Sequence, residues 1–194
     1  MSKPKCHMCN GNHLSRNCPI EKQIAGYMKE KIGGYIENWI ANNISCPYCH
    51  TKNLYVLGDN SPSLDLRCHN CSKNFECKSK CLSIKKLPND IILNHGSYLD
   101  YKDRQSNGLD FFIIIYKIDR KSKVITIRKI LYVDDHYVNN NDNFNVVKKV
   151  DSKTSNIIIK NHNYLNSISI PTNNRFSFLR FYNYIVANTC IPAH

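Results

Sequence analysis

Two acids and a lysine, Asp65, Glu76 and Lys78, stand on either side of a cysteine-bearing turn, Cys68-His69-Asn70-Cys71. In an extended chain successive side chains take opposite faces. Glu76 and Lys78 then share one face, with Phe75 and Cys77 on the other. In the preceding run Asp65 and Arg67 share a face, with Leu64 and Leu66 behind them. If the turn closes a hairpin, Asp65 meets Glu76 and Lys78 at one point. Two carboxylates are hard oxygen donors that suit Mg2+. A lysine beside them can orient water and offset developing negative charge. That set can hydrolyse a phosphodiester, in the pattern P-x2-D-x10-E-x-K from Pro62 to Lys78. Acids and lysines are common, however, and on the motif alone ordinary salt pairs on a surface hairpin are the better explanation.

The cysteines carry a second kind of chemistry. Cys46-Pro47-Tyr48-Cys49 and Cys68-His69-Asn70-Cys71 are two Cys-x-x-Cys pairs separated by turn signals at Gly58-Asp59-Asn60-Ser61-Pro62. This is the spacing of a zinc ribbon, with Cys46, Cys49, Cys68 and Cys71 as four closed, structural ligands. Cys77 and Cys81 are read as packing residues, Cys77 facing the core. Nearer the N-terminus, Cys6, Cys9, His13 and Cys18 follow C-x2-C-x3-H-x4-C, a second zinc set in a segment too short to fold without metal. It resembles the zinc knuckles of retroviral nucleocapsids and retroelements, one residue shorter between the second Cys and the His. Such knuckles bind single-stranded nucleic acid. Met8 and Leu14 would form the apolar platform, and Lys3, Lys5 and Arg16 would reach phosphates. A protein-binding module is the other reading of the same segment.

These residues need a scaffold. From Ile20 to about Asn42 the pattern is helical: Ile20, Ile24, Met28, Ile32, Ile36 and Ile40 recur at every fourth position, with Trp39 beside the stripe. Gly33-Gly34 is a candidate break into two helices. Ile91 to Leu99 is expected to form a short helix. Leu109 to Ile118 suits a strand buried on both faces. Lys123 to Val133 alternates as a strand, Asn139 to Asn145 is expected as a loop, and Asn156–Ile159, Ser167–Pro171 and Phe176–Phe181 are further extended or apolar runs. A helix followed by β-rich chain predicts an α+β fold. The expected division is a knuckle at 1–19 and one larger domain at 20–194.

A formal charge of +12 points to a polyanionic partner, most simply nucleic acid. Ten cysteines, several of them in Cys-x-x-Cys pairs, behind a polar and basic N-terminus with no signal peptide, argue for reduced thiolates inside the cell rather than a secreted disulfide scaffold. No apolar run approaches membrane-spanning length. A viral origin fits this reading as well as a cellular one.

One order of motifs gathers these pieces: Glu37-Asn38-Trp39, Cys46-Pro47-Tyr48-Cys49, Pro62 and Asp65, Cys68-His69-Asn70-Cys71, then Glu76-Cys77-Lys78-Ser79-Lys80. It resembles the catalytic domain of the DpnI family of methyl-directed restriction endonucleases, a zinc-containing branch of the PD-(D/E)XK nucleases. Asn94-His95-Gly96-Ser97-Tyr98, the strand at Asp110-Phe111-Phe112-Ile113 and the segment Ile168 to Phe176 follow the same course, so the resemblance spans roughly 35 to 185. It implies a restriction-endonuclease-like mixed sheet with an inserted zinc ribbon. It also implies a Mg2+-dependent DNA endonuclease. Asp65 and Glu76 would hold Mg2+, Lys78 would be the active-site lysine, and Lys80 would touch phosphate. The winged helix that follows the nuclease domain in the family is not expected here. RNA stays open as the substrate, as does a homodimer that cuts both strands. An HNH-type site at Asp134-Asp135-His136 lacks a second histidine at suitable spacing. The competing functional class is a nucleic-acid-binding zinc protein that keeps a nuclease fold without catalysis.

Overall fold

Proline at a first helical position is pre-set for the helix and forfeits no intrahelical bond. In the computed structural model Pro19 opens α1 (Pro19–Asn43). The residues described are 19–58, 64–82, 90–97, 110–119, 122–134, 144–148, 154–160, 165–179 and 183, with backbone alone for 19–30, 94–97, 144, 146, 148, 154 and 155. The knuckle ligands Cys6, Cys9, His13 and Cys18, with Lys3, Lys5 and Arg16, lie outside them.

Ile32, Ile36, Trp39 and Ile40 fall on one side of α1 and are buried. Gly33-Gly34 does not split the helix, contrary to expectation. Ile32 and Ile36 flank the pair and are both locked into the same core, which outweighs the roughly 1 kcal/mol each glycine costs. The amide of Asn38 also donates to the carbonyl of Gly34 at 2.7 Å.

The strands in chain order are β1 (Leu54–Val56), β2 (Leu66–Cys68), β3 (Asn74–Cys81), β4 (Ile91–Ser97), β5 (Asp110–Asp119), β6 (Val124–Val133), β7 (Phe144–Lys148), β8 (Thr154–Ile159), β9 (Asn166–Ile168) and β10 (Arg175–Ser177). Seven form one mixed sheet, ordered β1-β2-β3-β5-β6-β10, with β9 also paired to β6. Only β3 and β5 run parallel in it. The other three form a small antiparallel sheet, β4-β8-β7. With α1 as the single long helix of the described residues, the architecture is α+β.

The large sheet has a core on each face. Phe112, Ile114 and Tyr116 of β5 pack with α1, Leu66, Phe75, Ile125 and Ile127. Phe111, Ile113 and Ile115 pack with Ile91 and Leu93 of β4 and Ile157 and Ile159 of β8. Phe111 to Tyr116 is therefore buried on both sides, as the continuous apolar run requires.

Two further expectations are corrected. Of the helix expected from Ile91 to Leu99, the described part is a strand: 91–97 is β4, paired with β8. Ile91 and Leu93 turn inward and Ile92 outward, the alternation of a strand. Part of the expected Asn139–Asn145 loop enters β7 at Phe144. The cysteine turns are also less of an insertion than expected. The second one is the direct connection from β2 to β3, so it belongs to the main sheet.

Candidate active site and candidate metal centre

Both Cys-x-x-Cys turns are built alike. The N–H of His50 donates to the carbonyl of Cys46, and that of Ser72 to Cys68, at 2.8 and 2.9 Å. The N–H of Cys46 donates to Thr51 and that of Cys68 to Lys73, at 2.8 and 2.9 Å. His50 and Ser72, each just after the second cysteine, have φ near +60° (59° and 58°). That left-handed step curls the backbone so that both sulfurs of a pair point the same way.

The four sulfurs converge: all lie within 4.8 Å of one another. Cys46 and Cys71 are 3.7 Å apart, Cys49 and Cys68 3.5 Å. Four thiolates at 2.3 Å around a tetrahedral ion stand about 3.8 Å apart, so the cluster is sized for one zinc ion. Thiolate chemistry fits as well. The hydroxyl and backbone of Thr51 hold the Cys49 thiol down at about 6. Burial instead pushes Cys46 up to about 12, a cost that a dication among the sulfurs would offset.

The turn sets the register of the acids. Leu66 faces Phe75 and Arg67 faces Asn74 across β2 and β3, and Asp65 is the residue just before this ladder. The register shifts at this point: the N–H of Asp65 donates at 3.1 Å to the carbonyl of Phe75, the residue that Leu66 faces, and the N–H of Leu57 donates to Asp65 at 2.9 Å. The Asp65 Oδ2 accepts the N–H of Cys77 at 2.6 Å. The Nζ of Lys78 is ion-paired with the Oε1 of Glu76. Glu76 is 3% exposed, so the pair stands in a dry setting that strengthens it.

Glu76 and Lys78 are thus paired on one face of β3, and Asp65 reaches the same strand through the Cys77 N–H. Phe75 and Cys77 take the helix face. Burial pushes the Cys77 thiol well above its usual range, and the charges of Asp65, Glu37 and Glu76 add to this. Lys80 follows Lys78 on the same face of β3, half-buried, opposite Ile115. Leu64 departs from expectation. It precedes β2, is not bound by its alternation, and packs on the core opposite to that of Leu66.

Two features escaped the sequence reading. Asp110 is fully buried, accepts the Tyr132 hydroxyl at 2.8 Å and pairs with Lys73 at 3.3 Å. It fastens the residues after the second cysteine turn to β5. The rings of Tyr55 and His69 stack, with centroids 3.9 Å apart and planes at 19°. Neither pair has a short-range signal, because each joins strands through long-range register.

A helix across one face of a mixed sheet, with the acids at the β2–β3 hairpin, is the α+β architecture of restriction-endonuclease-like proteins. The chain belongs to one such family: residues 13–152 match the one described as DpnI: Dam-replacing family. The matched stretch includes Asp65, Glu76, Lys78 and the four clustered cysteines, and ends before the Ile168–Phe176 segment. No curated protein matches the chain. Among the described residues no helix is long and apolar enough to cross a membrane.

Proposed function

We propose that this chain is a Mg2+-dependent DNA endonuclease, with Asp65 and Glu76 as the metal-holding carboxylates and Lys78 as the active-site lysine. Membership of the DpnI family points to a nuclease and implies DNA as its substrate. The observation that carries the finer reading is the convergence of Asp65, Glu76 and Lys78 across one zinc-type turn. Two carboxylates on neighbouring strands offer the hard oxygens that Mg2+ prefers. The ion would supply Lewis-acid polarisation of the phosphate. Lys78 orients the attacking water and stabilises charge as it develops on the phosphate oxygens. Lys80 lies further along the same face and is assigned to phosphate. Zinc on Cys46, Cys49, Cys68 and Cys71 is structural.

Residues 1–19 form a separate knuckle in this reading, with zinc on Cys6, Cys9, His13 and Cys18. Lys3, Lys5 and Arg16 assist in holding nucleic acid. The domain at 20–194 carries the chemistry, and two copies would cut the two strands. The test is incubation of the full chain with methylated and unmethylated plasmid DNA and with single-stranded RNA, with and without Mg2+. Mg2+-dependent cleavage of DNA supports the assignment. Cleavage of RNA alone would replace the substrate, and binding without cleavage of any substrate would identify a non-catalytic binding protein.

A further inference from the structure

The face of the large sheet that carries Glu76 and Lys78 is covered unequally. The small sheet packs over β5 and β6, where Phe111, Ile113, Ile115, Leu131 and Val133 are buried beneath β4 and β8. Among the described residues, no member of β1 or β2 belongs to that second core. Among the described residues nothing of the second core lies over the end of the face beyond the acids, where Arg67 and His69 are exposed, and its occupants follow from register. Arg67 is the middle residue of β2, on the face away from Leu66 and Cys68, and His69 follows in the turn. Arg67 is directly opposite Tyr55 on β1 and Asn74 on β3. Arg67 and His69 are exposed, and Tyr55, half-buried, is stacked on His69. On the opposite face Leu54, Leu66 and Cys68 are buried under α1.

A row with an exposed guanidinium at its centre and a stacked pair of rings beside it has no structural task here. It contributes nothing to either core, and an exposed arginine favours solvent unless an anion claims it. A guanidinium grips phosphate through two parallel hydrogen bonds. Aromatic rings accept sugar and base surfaces with little regard to sequence. Arg67 is opposite Asn74, two residues or about 6.6 Å along β3 from Glu76, which is the reach to a neighbouring phosphate rather than the reacting one. The strong positive charge of the chain suits the same polyanion.

We infer that Arg67, walled by the Tyr55–His69 stack, is a positioning residue that grips the DNA backbone one step beside the scissile phosphate. The inference rests on the nuclease reading for its geometry, but its readout is binding. Arg67 holds the strand so that the bond to be cut lies over Asp65 and Glu76. It takes no part in the reaction.

The test measures binding of a short fluorescent duplex to the full-length protein, without Mg2+, across a range of salt concentrations. Zinc content of each variant verifies that the cysteine turns are intact. Arg67→Ala is expected to weaken binding about 10-fold and to lower the slope of log affinity against log salt by about 1, the signature of one lost phosphate contact. Arg67→Lys should restore the slope, because it keeps the charge, and recover only part of the affinity. Tyr55→Leu should weaken binding about 5-fold with the slope unchanged. Arg175→Ala removes the same charge from β10, at the far end of the sheet, and should leave the slope alone. An unchanged slope in zinc-replete Arg67→Ala, or an equal fall in Arg175→Ala, would overturn the inference. A wild-type chain that cleaves nothing but loses slope on Arg67→Ala would reject the nuclease reading and keep this surface. A chain that cleaves DNA with Arg67 irrelevant to affinity and slope would do the reverse.

Discussion

The Asp65 carboxylate accepts the backbone N–H of Cys77 at 2.6 Å, so the first acid is fastened to the strand that carries the second. Glu76 and Cys77 are neighbours on β3, and the whole connection back to Asp65 passes through the turn at Cys68 and Cys71. Geometry at the acids is thereby tied to geometry at the sulfurs.

Removal of zinc should then reduce cleavage through the site's shape. Loss of about 1 Å of positioning can cost about 100-fold in rate. Chelation followed by dialysis, or Cys46→Ser, is expected to reduce cleavage by that order. Zinc should restore the chelated protein, and Mg2+ alone should not. Recovery with Mg2+ alone would show that the turn does not position the acids.

Lys78→Ala should lower the cleavage rate by about 100-fold or more while leaving duplex affinity nearly unchanged, because charge stabilisation belongs to the transition state. Single-turnover rates beside equilibrium binding separate the two effects. A variant that loses affinity but keeps its rate would move Lys78 from catalysis to binding.

Asp110 is a stability prediction. Asp110→Ala leaves the Tyr132 hydroxyl and the Lys73 ammonium without their shared carboxylate and should lower stability by about 2–4 kcal/mol. Asp110→Asn keeps an acceptor for Tyr132 and should fall between. Urea denaturation with tryptophan fluorescence measures this directly, since Trp39 is the one tryptophan and lies in the helix-side core. No change for Asp110→Ala would show that β5 holds its place without this link.

Cys77 should resist alkylation at pH 8, while the exposed Cys81 reacts, because the Cys77 thiol is held well above 9.0. The sign of the linkage follows. The unfolded thiol ionises near 9.0 and the folded one higher, so this contribution is complete below pH 9 and is lost as pH rises above it. Cys77→Val should flatten that loss. Mass spectrometry of the alkylated protein and denaturation series from pH 8 to about pH 10 would check both points. Rapid labelling of Cys77 at pH 8 would contradict its packing.

Much of this site is legible in the sequence because its signals are local. Period-two alternation places Glu76 with Lys78, and the spacing of Cys68 and Cys71 marks the turn that brings Asp65 to β3. The stripe through Ile32, Ile36 and Ile40 marks α1, and the run from Phe111 to Tyr116 marks a strand buried on both faces. Other features depend on partners distant in sequence. Ile91-Ile92-Leu93 is too short an apolar run to separate helix from strand, and only pairing with β8 decides it. The two glycines of α1 read locally as a break, and tertiary packing overrides them. Asp110 becomes a buried anchor because β5 runs parallel to β3, with Asp110 opposite Phe75. Tyr55 reaches His69 for the same kind of reason, through the pairing of β1 with β2.

The central claim is that Asp65 and Glu76 together hydrolyse DNA, and plasmid cleavage in Mg2+ by the wild type and by the Asp65→Ala plus Glu76→Ala variant tests it most directly. With zinc content equal in both, the account predicts that the wild type converts supercoiled plasmid to nicked and linear forms and that the double variant leaves it intact. Undiminished cleavage by the double variant would contradict it.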